Sequence, residues 1–234
     1  MPARLAALLL SPVLLLQALH VRRHALRLPE ADGARTGRVG DGTPLSLLIL
    51  GDSAAAGVGV GSQPHALAGQ LAARLAAAHR LDWTLWAKSG RASRQVLALL
   101  EREEGRPFDV ALTSIGVNDI TGGVRLSAWL VQQARIRAVL RTKFGVRRIV
   151  LTAVPPMQHF SALPQPLRWV LGERVRRFNQ ALVQSVSGEA DVRVLAVAFP
   201  PGGDYLAEDG FHPNAVAYAR WAEEAERLIR GMAD

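Results

Sequence analysis

Leu45-Ser46-Leu47-Leu48-Ile49-Leu50 is a nearly unbroken apolar block of strand length, and it runs directly into Gly51-Asp52-Ser53-Ala54. A strand that is apolar at successive positions is covered on both faces, as in a parallel sheet held between two layers of helices. Four more blocks of the same kind come after it: Trp83–Ala87, Asp109–Ile115, Arg148–Val154 and Val192–Val197. Between them lie Ala-, Leu- and Arg-rich stretches with helical period, at Pro64–His79, Ser93–Glu103, Arg125–Phe144 and Pro166–Val186. A last helix is predicted from Pro213 to about Arg230, with the proline in its first turn. The order βαβαβαβαβα predicts an α/β fold, a three-layer αβα sandwich with right-handed crossovers. Sites in such sheets gather at the carboxyl ends of the strands. The residues just after each block are therefore the candidates for chemistry.

After the first block stands Ser53, beside the start of the next segment, where backbone N–H groups and a favourable field await a developing oxyanion. A plain Gly-Asp-Ser turn capping a helix would look the same. After the second block comes Lys88-Ser89-Gly90-Arg91-Ala92-Ser93, where Gly90 lets the backbone approach a ligand and point an N–H at it. After the third comes Gly116-Val117-Asn118-Asp119, and a rigidly held Asn118 amide is a good oxyanion donor. Near the C-terminus stands Asp209-Gly210-Phe211-His212-Pro213-Asn214. An Asp and a His three apart, with a glycine between, can fold back until the carboxylate meets one imidazole nitrogen. The other nitrogen is then free to take the proton of Ser53. Each element alone has a bland structural explanation; the four together supply nucleophile, oxyanion donors, base and orienter. Asp119 is expected to orient its own loop, and Asp52 the serine turn.

These four blocks resemble those of the SGNH/GDSL hydrolase family, GDSL-like esterases and lipases, over about four fifths of the chain from Leu45 onward. Asp209-x-x-His212-Pro213 is the most specific match. The resemblance implies a flavodoxin-like five-stranded parallel sheet. It also implies an oxyanion hole built from the Ser53 and Gly90 backbone N–H groups and the Asn118 side chain. The leucine usual after Gly-Asp-Ser is Ala54 here, and Ala54–Gly59 forms a wall of small residues with room beside the serine. The expected function is a serine esterase acting on short to medium acyl chains, lipidic ones included, through an acyl-enzyme, with no metal or organic cofactor. Acyl-CoA thioesterase, lysophospholipase and carbohydrate O-acetyl esterase use the same constellation. The non-enzyme alternative is a degenerate hydrolase serving as a membrane-tethered binding module. His159 comes after the fourth block, where a solvent-facing loop histidine is the commoner case, and His65 and His79 read as helix-surface residues. Met157, Phe160, Leu163 and Trp169 are candidates for an acyl pocket, with core packing the default for each.

The 234 residues suffice for one domain with a full core. The absence of cysteine excludes disulfides, thiolate metal sites and a Cys nucleophile. The net charge is +8, and the cations are arginines apart from Lys88 and Lys143. They are interleaved with acids, as in Glu101-Arg102-Glu103-Glu104, and no stacking aromatics accompany them, so nucleic acid is not the expected partner. Residues 1–28 form a separate apolar segment, 29–44 a glycine-rich linker and 45–234 the hydrolase domain. The apolar run from Leu5 to Val21 is short for a span of about 20 residues. It also lacks a small-x-small cleavage site, and Arg22, Arg23 and Arg27 stand just beyond it. Membrane contact through residues 5–27, with the domain on the cytoplasmic side, is the first expectation. Secretion to the periplasm and packing of the segment against the domain are the alternatives.

Overall fold

The computed structural model describes residues 10–198 and 204–232; residues 1–9 of the apolar segment lie outside them. Helix α1 covers Ser11–His24, and strands β1 and β2 cover Thr36–Val39 and Thr43–Gly51. Next come helix α2 (Leu67–Leu75), β3 (His79–Ala87), α3 (Ser93–Arg102), β4 (Val110–Ser114) and the short α4 (Val117–Thr121). The chain continues through α5 (Leu126–Phe144), β5 (Arg148–Thr152), α6 (Leu167–Ser185), β6 (Val192–Leu195) and α7 (Ala215–Arg230).

The sheet order is β1-β3-β2-β4-β5-β6. The five strands from β2 onward are parallel, as the apolar blocks predict. Side chains alternate across the sheet. On β2, Leu48 and Leu50 join the core under α3, α5 and α6, whereas Leu47 and Ile49 join the core under α2 and α7. Covering both faces gives the three-layer sandwich and explains why β2 and β4 carry so little polarity. Because β2 connects onward to β3 on one side and lies against β4 on the other, the chain reverses its direction of winding at the carboxyl end of β2. Crevices at such a reversal are where α/β sheets bind ligands.

Two expectations need correction. The sheet has six strands, because residues 36–39 of the supposed linker pair antiparallel with β3 as an edge strand. The glycines of residues 29–44 suggested a linker, but a Cβ at Gly37 would lie 2.7 Å from the Trp83 indole nitrogen. That glycine makes room for a packed ring. Covering the β3 edge also removes a row of unpaired backbone groups from water. His79, read as a helix residue, instead begins β3. It pairs in register with Thr43, whose hydroxyl lies 2.9 Å from its Nδ1.

Helix α1 lies against α6. Gln17 Nε2 donates to Gln165 O at 2.7 Å, and Gln17 Oε1 accepts from Leu167 N at 3.1 Å. Among the described residues, no helix is long and apolar enough to cross a membrane.

Candidate active site

Ser53 sits two residues beyond β2, on a turn closed by Ala56 N donating to Asp52 O and Val58 N to Ser53 O. Its Oγ is 2.8 Å from His212 Nε2, although 159 positions separate the two residues. His212 Nδ1 is 2.6 Å from Asp209 Oδ2. The other oxygen, Asp209 Oδ1, accepts the backbone N–H groups of Phe211 and His212, each at 3.0 Å. The intervening Gly210 has φ +64, which lets the loop fold back on itself. Burial raises the pKa of Asp209, but the hydrogen bonds from the His212 ring and the two backbone N–H groups outweigh it. The carboxyl therefore lies below its usual range and stays ionised. The Asp209 side chain is 3% exposed and that of His212 18%, so the carboxylate is sealed while the imidazole reaches the surface.

The His loop is fixed from its own base. Ala207 N donates to His212 O, and Asn214 Nδ2 donates to Asp204 O and Leu206 O. Asn214 Oδ1 also caps α7 by accepting from Ala217 N. From α7 the buried Tyr218 hydroxyl reaches Ala54 O at 2.9 Å and Val58 O at 2.7 Å, behind the serine turn. One helix thus holds the positions of both the Ser53 turn and the His212 loop. Gly59 is where the loops meet: its φ is +104, and a Cβ would lie 2.2 Å from Pro213 O. Tyr218 was not singled out from the sequence, and Asn214 and Gly59 stood there only as the ends of the Asp209–Asn214 and Ala54–Gly59 stretches. Gly59→Ala is expected to lower kcat on a p-nitrophenyl ester by about 10²-fold, because it forces the His212 loop away from Ser53. Unchanged turnover in a folded variant would show that the close approach is immaterial.

Asn118 lies at the start of α4, after β4. Its Nδ2 donates to Arg91 O at 2.9 Å and, at a stretched 3.4 Å, to Asp52 Oδ2. Gly90 has φ +80 in the turn after β3. Among the described residues, neither the Ser53 nor the Gly90 backbone N–H has a hydrogen-bond partner. Asp119 accepts from the backbone N–H and hydroxyl of Ser93, and Gln133 Nε2 donates to Ser93 Oγ, so the α3 and α4 starts are joined beneath the site.

Asp52 is buried next to Ser53. Burial, helped by the charge of Asp119, pushes its carboxyl up to about 7, against the opposing bond from Ala54 N. The folded protein therefore keeps a proton on Asp52 that the unfolded chain releases near pH 4. Between those limits stability falls as pH rises, by about 1.4 kcal/mol per pH unit from this group. Asp52→Asn should remove that slope. Urea melts at about pH 5 and about pH 7 should then show the variant gaining roughly 2–3 kcal/mol relative to the parent. Parallel pH curves would contradict this protonation state.

Other residues fall elsewhere. Met157, Phe160 and Leu163 are core residues, and Trp169 is 40% exposed. Phe160 packs against Phe211 with ring centroids 4.8 Å apart, at the edge of the His loop. His159 is exposed. His65 sits on a 3-10 turn, Gln63–His65, and its Nδ1 lies 3.0 Å from Ser62 Oγ. Among the described residues, no cluster of His, Cys, Asp and Glu is arranged to hold a metal ion.

A sequence model of the family described as GDSL-like Lipase/Acylhydrolase matches residues 49–220. A GDSL-like esterase of Mycobacterium tuberculosis is 33% identical over 190 residues, which are 76% of this chain and 59% of that protein. The chain thus spans less than two thirds of that relative's length. Among solved structures, a lipase from a goat rumen metagenome aligns with a TM-score of 0.64 at 18% identity, covering 81% of this chain and 98% of its own. An acetylxylan esterase from Geobacillus stearothermophilus aligns with a TM-score of 0.56 at 17% identity, covering 80% of this chain and 95% of its own. At such identities the solved structures speak to the fold, and they share the three-layer α/β arrangement.

Proposed function

The chain belongs to the GDSL-like lipase/acylhydrolase family, and from that premise we propose that it is a serine esterase cleaving carboxylic esters through an acyl-enzyme. One observation carries this reading: Ser53 Oγ lies 2.8 Å from His212 Nε2, and His212 Nδ1 lies 2.6 Å from Asp209. A hydroxyl is a poor nucleophile at neutral pH until an adjacent base takes its proton. As Ser53 Oγ bonds to the ester carbon, its proton passes to His212 Nε2, and Asp209 stabilises the imidazolium. The carbonyl oxygen becomes an oxyanion, for which the unpartnered N–H groups of Ser53 and Gly90 are available. The third donor is Asn118. Its contact to Arg91 O is a normal hydrogen bond, but the 3.4 Å contact to Asp52 is weak, so that hydrogen is the one to turn toward substrate. Collapse of the tetrahedral adduct breaks the ester C–O bond, and His212 returns its proton to the leaving alcohol. Water then attacks the acyl-enzyme with His212 again as base, releasing the acid and restoring Ser53.

Asn118→Ala is expected to cost roughly 10²–10³ in kcat, with a smaller change in KM, as for the loss of one oxyanion donor. Equal kcat in variant and parent would remove Asn118 from the hole.

The run of small residues that follows the serine, Ala54-Ala55-Ala56-Gly57, supports short to medium acyl groups. A series of p-nitrophenyl esters of increasing chain length, with matched thioesters and an acetylated sugar, tests the reading. Ester turnover peaking at short to medium chains is expected. Failure of the folded protein to hydrolyse any ester would refute it and leave the binding-module alternative.

A further inference from the structure

Helix α1 presents two unlike faces. Leu14, Gln17 and Val21 turn toward the domain: Gln17 holds Gln165 and Leu167, and Leu14 and Val21 pack against the core. The opposite face carries Leu15, Leu16 and Leu19, which are 61%, 68% and 52% exposed. Beyond them stand Arg22, Arg23 and Arg27, all exposed, and Leu26 beside them is 54% exposed. No acidic residue precedes Glu30 in the sequence. Three bare leucines on one helical face, closed at one end by three exposed cations, form an apolar patch of the sort a water-facing surface rarely keeps.

The chemistry that matches leucines followed by arginines is a bilayer with anionic headgroups. The leucines enter the acyl boundary and the guanidinium groups meet the phosphates. With one face of α1 held on the domain through Leu14, Gln17 and Val21, the other face is left for an interfacial contact. The same helix is tied to the active site by one short segment. Gln165 and Leu167, which hold Gln17, lie a few residues beyond Phe160 and Ala162. Phe160 packs on Phe211, and Ala162 N donates to Gly210 O, between Asp209 and His212. We propose that α1 seats the protein on an anionic phospholipid surface, beside which the Ser53 site takes its ester from the lipid phase. The docking part stands on α1 alone; the substrate part rests on the esterase reading.

The test uses the full chain and sedimentation with vesicles of phosphatidylcholine, with and without phosphatidylglycerol. Parent protein should pellet with the anionic vesicles and be released by high salt. Replacing Leu15, Leu16 and Leu19 together by Gln should lower partitioning at least roughly a hundredfold. Replacing Arg22, Arg23 and Arg27 by Gln should cost about fivefold per residue on anionic vesicles and little on neutral ones. Both variants should keep full turnover of a water-soluble p-nitrophenyl ester and lose turnover of an ester embedded in the vesicles. Absence of vesicle binding overturns the docking, as does equal binding by the leucine variant or a leucine-dependent dimer in lipid-free solution. Vesicle binding without hydrolysis of any ester would instead sink the esterase reading and leave the docking intact.

Discussion

Ser53→Ala should lower kcat on a p-nitrophenyl ester by roughly 10⁵–10⁶-fold, with an unchanged circular dichroism spectrum and melting temperature. The size reflects where the hydroxyl stands. Ser53 is half-buried on a turn whose backbone bonds, Ala56 N to Asp52 O and Val58 N to Ser53 O, do not involve its Oγ. The Tyr218 hydroxyl holds the same turn from behind through Ala54 O and Val58 O. Removing Oγ therefore takes away the bond-forming atom and leaves the scaffold in place. What survives is the catalysis that oxyanion donors and binding give to water alone, which is small beside the covalent route. Retention of more than about a hundredth of parent kcat would mean that another group attacks the ester.

Asp209→Asn is the second large effect, at about 10⁴-fold in kcat. The variant amide can keep its oxygen on the N–H groups of Phe211 and His212, now held at 3.0 Å, so the loop should stay folded. Its NH₂ then faces His212 Nδ1 where a carboxylate oxygen stood at 2.6 Å. Two donors cannot share that contact, so the ring moves its proton to Nε2, the nitrogen that faces Ser53. An Nε2–H cannot accept the serine proton. The loss should fall on kcat, while KM for a small ester changes little, because the carboxylate is almost fully buried and away from substrate. A KM-dominated loss would mean that Asp209 shapes the binding site and leaves the tautomer alone.

The sheet was legible because its strands are covered on both faces, which makes Leu45–Leu50 and Val110–Leu112 almost wholly apolar. The assembly of the candidate site was legible for a related reason: strands that end together bring Ser53 and Asn118 to one rim, and the Asp209–His212 spacing brings its own loop to meet them. The edge strand β1 escaped notice since its glycine answers to Trp83, far along the chain, and no local pattern encodes such a contact. Gly59 and Tyr218 escaped for the same reason: each is defined by a partner on the other loop. The stretched Asn118–Asp52 contact was equally invisible, although Asp52 stands within the Gly-Asp-Ser motif, because burial of a carboxylate is a property of the closed fold.

Peptide mapping after reaction with a fluorophosphonate probe addresses the coupled pair of Ser53 and His212 directly. A single phosphonyl adduct is expected on the tryptic peptide containing Ser53, formed rapidly by the parent and lost in both Ser53→Ala and His212→Ala. An adduct on any other serine, or a folded parent that stays unlabelled, would contradict it.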